Sequence, residues 1–121
     1  MTANELASEI ATIYKSISAP IGHSDFIRIE EELMRLPVWL ARVGEIRSET
    51  EYILTVARGE ASHFLAERKL AYNREQREVE FLTAEQQRLH SRAENLGRAI
   101  NGMIEAYRSV LSFEKEQRRG G

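Results

Sequence analysis

From Leu82 to Val110 an apolar or small residue recurs at alternating spacings of four and three: Leu82, Gln86, Leu89, Ala93, Leu96, Ile100, Met103, Tyr107, Val110. Gln86 alone breaks the series. This spacing is the seam of a long helix that packs against another helix. A second series precedes it, running Phe26, Ile29, Leu33, Leu36, Leu40, Val43. One seam cannot bury itself, so two seams in a chain of 121 residues imply pairing, within the chain or between copies. The expected fold class is all-α: an elongated antiparallel helical hairpin of two long coiled-coil-like helices plus a short N-terminal helix, homo-oligomeric. Leu33, Leu36, Leu40, Leu89, Leu96, Ile100, Met103 and Tyr107 are the expected pairing positions. A hairpin of this kind exposes much surface and buries little core. The charged fraction of 30% suits it, since an ordinary domain carries about 25%.

Punctuation sets the expected boundaries within one helical domain, 1–121. Thr2 and Glu5 fit a capping box, and Leu6, Ile10, Ile13 and Ile17 follow at helical spacing. An N-terminal helix is expected over 3–18, ended by Ala19-Pro20-Ile21-Gly22. Ser24 or Asp25 caps the central helix, expected over 25–58. Pro37 lacks an N–H and kinks it, but the seam keeps its phase through Leu33, Leu36 and Leu40. Beyond Val43 the phase slips to Ile46, Ile53 and Val56, as a stutter produces. Trp39 lies beside the seam as a candidate anchor for a second contact surface. Arg58-Gly59 reads as a helix stop, and Ser62 as a cap for a new start. A basic connecting segment is expected over 59–74, a long C-terminal helix over 75–117 and a disordered tail over 118–121. No internal repeat and no strand pattern is present.

Composition narrows the setting. No cysteine is present, so disulfides and thiol chemistry are excluded and a cytosolic setting is favoured. No run approaches the ~18 apolar residues of a membrane span. The N-terminus carries no signal-peptide pattern. The expectation is a cytoplasmic protein with no membrane partner. Charge is uneven: residues 1–57 hold five Lys/Arg and nine Asp/Glu, whereas residues 58–121 hold twelve and ten. Nearly all the bases are arginine, which suits bidentate phosphate contacts.

No pattern announces catalysis. His23, His63 and His90 are far apart and stand in no metal-ligand spacing. Carboxylates alternate with arginine, as in Glu94 and Arg98 at i,i+4, which is the order of solvated ion pairs. Gly97 to Gly102 lacks the Gly-Lys-Ser/Thr of a phosphate loop. The chain is therefore expected not to be an enzyme, and to need no metal or cofactor. A binding surface has better support. Arg58, Arg68, Lys69, Arg74 and Arg77 cluster around the connecting segment, interleaved with His63, Phe64 and Tyr72. Cations contact phosphates and rings stack on bases, which is what single-stranded nucleic acid requires. Glu60, Glu67, Glu75 and Glu78 dilute the field, and a solvated, self-paired helix is the competing reading. Repetition of a modest patch around an assembly strengthens binding by avidity.

Leu36-Pro37-Val38-Trp39-Leu40, with Ile46, Glu49 and Ile53, resembles the central helix of the T4-type phage recombination mediators of the UvsY family. Ile100 to Phe113, with Ala106-Tyr107-Arg108-Ser109, resembles the family's last helix. Ala66-Glu67-Arg68-Lys69-Leu70-Ala71 resembles small helical proteins encoded beside recombination genes in other phages. The likeness spans about residues 25–115 and lies mostly in helical pattern. It implies a non-enzymatic protein that forms closed rings, binds single-stranded DNA, remodels its complex with the single-strand-binding protein and assists a RecA-like recombinase. The family's DNA-contacting position falls near Arg58. Its Lys-x-Arg pair slightly further on is not present, and Ser62, His63 and Phe64 stand there instead; Lys69, Arg74 and Arg77 are this chain's own substitutes. The function expected is a recombination mediator. The rival is a helical adaptor that binds a protein partner through Trp39, Val38 and the Glu30-Glu31-Glu32 face.

Overall fold

The computed structural model describes residues 1–19, 21, 22 and 24–120, and within them every regular element is helical. The order is α1 (Ala3–Ile17), α2 (Phe26–Leu65), a short 3-10 turn (Ala66–Arg68), α3 (Tyr72–Leu82) and α4 (Ala84–Gly120). Pro20, His23 and Gly121 lie outside the described residues, and with them the proline part of the expected helix stop and the last residue of the expected tail.

Each of the first two helices starts where a side chain satisfies one of its free amides. The Thr2 hydroxyl accepts from the Glu5 N–H at 3.2 Å, opening α1. The Asp25 carboxylate accepts from the Arg28 N–H at 3.3 Å, opening α2. These caps occupy amides that the helix itself leaves free.

α2 runs unbroken through Pro37 and past Gly59 to Leu65. The expected stop at Arg58-Gly59 and the new start at Ser62 are therefore absent. Pro37 is exposed, and the helix continues on both sides of it. Gly59 sits in open space, and its helical cost of about 1 kcal/mol is offset by Ala61 and Leu65, which are buried further along the helix. The expected single helix over 75–117 is instead two. It begins at Tyr72, is interrupted at Thr83 and continues to Gly120. Thr83 is buried, and its hydroxyl donates to the Val79 carbonyl at 2.8 Å. That bond satisfies the buried hydroxyl, while the backbone departs from helical geometry at Thr83, φ −109° and ψ 16°. Thr83 faces inward in place of Leu82, which is 46% exposed. Arg118, Arg119 and Gly120 belong to α4, where the sequence points to a disordered tail. A carboxylate of Glu114 pairs with Arg118 on this last stretch.

α2 and α4 lie side by side with opposite chain directions. Val43 is beside Gly97, and further along α2, Thr50 is beside His90, earlier on α4. α1 lies across both. Its buried stripe Leu6, Ile10, Ile13 and Ile17 joins Leu36, Val43, Ile46, Leu89, Leu96 and Ile100 in one core. The eight seam positions all sit there: Leu36, Leu89, Leu96 and Ile100 are buried, and Leu33, Leu40, Met103 and Tyr107 pack against them half-buried. Trp39 also packs against this core, with its indole Nε1 buried, and so does not anchor an outer surface. Burial of the Tyr107 ring, helped by the negative charge of Glu32, pushes its hydroxyl above the ordinary value.

Past Val43 the core line is Ile46, Thr50 and Leu54. Val56, expected in line, is 40% exposed. Thr50 is fully buried because its hydroxyl meets His90 Nδ1 at 2.9 Å. The other ring nitrogen, Nε2, donates to Glu94 at 3.0 Å. The Thr50 hydroxyl also donates to the Arg47 carbonyl at 3.0 Å, so a slip of register leaves the His90 ring nitrogen as the unsatisfied group. α1 is tied down by Arg42, which forms a fork to Glu9 (one arm 2.7 Å) and reaches Glu45 at 2.8 Å.

Candidate nucleic-acid interface

Below the three-helix body the molecule thins to an arm. It consists of the last turns of α2, the bend and α3. Leu54, Ala61, Leu65 and Thr83 supply its buried side chains, and α3 buries none. The bend is a single 3-10 turn followed by Lys69 in the left-handed region, φ 49° and ψ 45°. Glycine takes that conformation freely, whereas a side chain there costs about 1–2 kcal/mol. α3 then starts with the Arg74 and Glu75 amides donating to the Ala71 carbonyl at 2.9 Å.

The structure divides the seven candidate contact residues among several places. Arg58 and Tyr72 line one groove of about 550 Å³ between α2 and α3, together with Ser62, Val79, Glu75 and Glu80. Phe64 and Arg68 form a stacked pair at the bend, with the guanidinium 5.1 Å from the ring centre. Lys69 stands in the bend itself. Arg74 and Arg77 sit one helical turn apart on α3. At about 100° per residue, they share a face with Phe81 and lie opposite the face that Tyr72, Glu75, Val79 and Glu80 turn to the groove. The seven therefore do not converge on one pocket. They form a belt around the arm.

Exposure and charge distinguish this belt. Phe64 is 61% exposed, Tyr72 74% and Phe81 78%. Arg58, Arg68, Lys69, Arg74 and Arg77 are all exposed. Among the described residues none of these five forms a salt bridge; those that exist involve Arg28, Arg35, Arg42, His90, Arg98 and Arg118. Residues 58–82 hold as many carboxylates as cations, five of each. On α3, Glu75 and Glu80 face the groove, while Arg74 and Arg77 face water with one carboxylate, Glu78, on their side. Phe81 is a contact candidate that the sequence reading does not single out. Its i,i+4 spacing from Arg77 is the available signal, but a seam that starts at Leu82 passes over it.

No cluster of three His, Asp or Glu close enough for a metal ion occurs among the described residues, and no helix among them is long and apolar enough to cross a membrane. Comparisons with protein-family models, with curated proteins and with solved structures found no match to this chain.

Proposed function

We propose that this chain is a non-enzymatic recombination mediator of the UvsY type. In this reading it is a self-associating helical protein of the host cytoplasm that binds single-stranded DNA through its arm and helps load a RecA-like recombinase on strands coated by single-strand-binding protein. One observation carries the DNA reading. The arm displays five exposed cations that form no salt bridge among the described residues, beside three exposed rings, on a part of the molecule with almost no core to maintain. Arg74, Arg77, Arg68 and Lys69 would neutralise phosphates, and Phe64 or Tyr72 would stack on bases. Phe64 already has one face covered by Arg68, so a base would take the other. Each phosphate contacted on a single strand contributes about −0.7 to the log–log salt slope.

The test is a mobility shift with oligo-dT at tens of millimolar salt. Binding that weakens steeply with salt, and that Arg74→Glu with Arg77→Glu abolishes, supports the proposal. Absence of binding at the lowest salt refutes it. A second reading, an adaptor for a protein partner, is favoured by the exposed Val38 on the outer side of α2. An adaptor leaves oligo-dT unbound and is indifferent to the arginine reversals.

A further inference from the structure

Two surfaces of the body lack any role in the fold or in the DNA reading. On α2, Ile27, Glu31, Met34, Val38 and Ala41 follow at spacings of four and three on the side away from the core. Ile27 is 73% exposed, Met34 80% and Val38 69%. This is a third heptad seam, with no helix against it. Glu31 lies on its line without an ion-pair partner among the described residues, because neighbouring Arg28 and Arg35 are taken by Asp25 and Glu32. The second surface is the groove between α1 and α4, on the far side of the body from that stripe. Its floor is apolar, with Ala7 and Leu89 in one stretch and Ile10, Ala11, Leu96 and Ala99 in the next, and its rim is polar, with Glu85, Gln86 and Asn95. Arg92 lines both stretches and Arg88 the first. Both arginines are exposed and make no salt bridge among the described residues.

We infer that the α2 stripe of one copy docks in the α1–α4 groove of the next. Three features match. The stripe is apolar with one free carboxylate, and the groove has an apolar floor along which two guanidiniums, Arg88 and Arg92, outnumber one carboxylate, Glu85. The lengths agree as well. With a rise of about 1.5 Å per residue, the stripe from Ile27 to Ala41 spans about 21 Å. The groove wall α1 contains 15 residues. On the same rise it spans about 22 Å. Small side chains on the groove floor admit a helix closely, whereas a nucleic-acid strand finds only Tyr14 there to stack on. Because the two surfaces differ and lie on opposite sides, the contact is head-to-tail. It propagates beyond a pair, into a ring if the rotation closes and a filament if it does not. This rests on the self-association taken in the proposed function and assigns its surfaces. It is independent of whether the arm binds DNA.

The experiment is sedimentation of the full chain and its variants between about 5 and about 200 µM, a range suited to a contact this small. Wild type is expected to rise in mass past a pair. Val38→Glu, which spoils the stripe, and Ala99→Glu, which spoils the groove, are each expected to sediment as lone subunits. Both sites are exposed, and unchanged circular dichroism verifies the fold. Mixed together, the two variants retain one good stripe and one good groove between them. The mixture is expected to stop at a pair of twice 13.9 kDa. Should either variant misfold, Glu31→Arg and Arg92→Glu serve instead: each alone weakens association about tenfold, and the swapped pair restores it. Lone wild-type subunits at every concentration overturn the inference, as does a mixture that fails to pair, the result of a stripe-to-stripe contact or of a different occupant. Oligo-dT binding, read separately, falls or survives without changing these masses.

Discussion

The body and the arm are made from the same helices and are held in different ways. In the body, α1, α2 and α4 bury three apolar stripes against one another, with Leu6, Leu36, Ile46 and Ile100 fully sequestered. Every salt bridge of the described residues lies in the body or on the end of α4. In the arm, α2 continues with a single companion, α3, which buries no residue. Its cations form no salt bridge among the described residues, and Phe64, Tyr72 and Phe81 are exposed. In the body one ion pair, Arg42 with Glu9, joins two helices; no such tie joins α2 to α3 in the arm among the described residues. On the proposed function, stability and binding are separated along the length of one helix, α2.

The sharpest way to break this division is to remove core from each part. Ile100→Ala in the body is expected to cost about 2–5 kcal/mol, read by urea unfolding. Val79→Ala in the arm, a half-buried position, is expected to cost about 1 kcal/mol or less. Equal losses would mean that the arm shares the body's cooperative core. Next in size is Thr50→Val, which leaves His90 Nδ1 without its partner. A loss of about 1–3 kcal/mol is expected, by the same unfolding measurement. Tyr72→Ala is expected to weaken oligo-dT binding by about 1–3 kcal/mol in fluorescence anisotropy, with unfolding unchanged.

Lys69 sharpens the comparison from the arm's side. Lys69→Gly relieves the left-handed backbone and is expected to gain about 0.5–1 kcal/mol in stability while weakening oligo-dT binding. A residue kept at a conformational cost beside free cations is the pattern of function taking precedence over stability. The smallest effect belongs to pH. Hydrogen bonds from Arg42 hold the Glu9 carboxyl below its ordinary value of 4.5. That contribution is present above the ordinary value and is lost as pH falls through the lowered one. Thermal melts from about pH 6 to about pH 3 should therefore show a larger loss in wild type than in Glu9→Gln.

Much of the body is legible in the sequence. Heptad spacing places Leu36, Leu40, Leu89, Leu96 and Ile100 on inward faces, and the Thr2 and Asp25 caps mark two helix starts. What escapes is local competition between effects. The seam reading puts Leu82 inward, yet Thr83 is the buried residue, its hydroxyl satisfied by the Val79 carbonyl. Gly59 reads as a stop, but Ala61 and Leu65 beyond it are buried, and tertiary burial outweighs propensity. Thr50 reads as a polar residue in an apolar run, and its partner His90 is distant in the chain. The arm's cations are visible as a cluster. Their split between the groove, the bend and the outer face of α3 depends on where α2 ends, which composition does not encode.

The central claim is tested most directly by hydrogen exchange followed by mass spectrometry, with and without oligo-dT. Amides of α3, Tyr72–Leu82, are predicted to exchange far faster than those around Ala93 to Ile104 in the free protein. Oligo-dT is predicted to slow exchange in α3 and the bend and to leave the body unchanged. Equal protection of both parts in the free protein, or protection by oligo-dT confined to the body, would contradict the account.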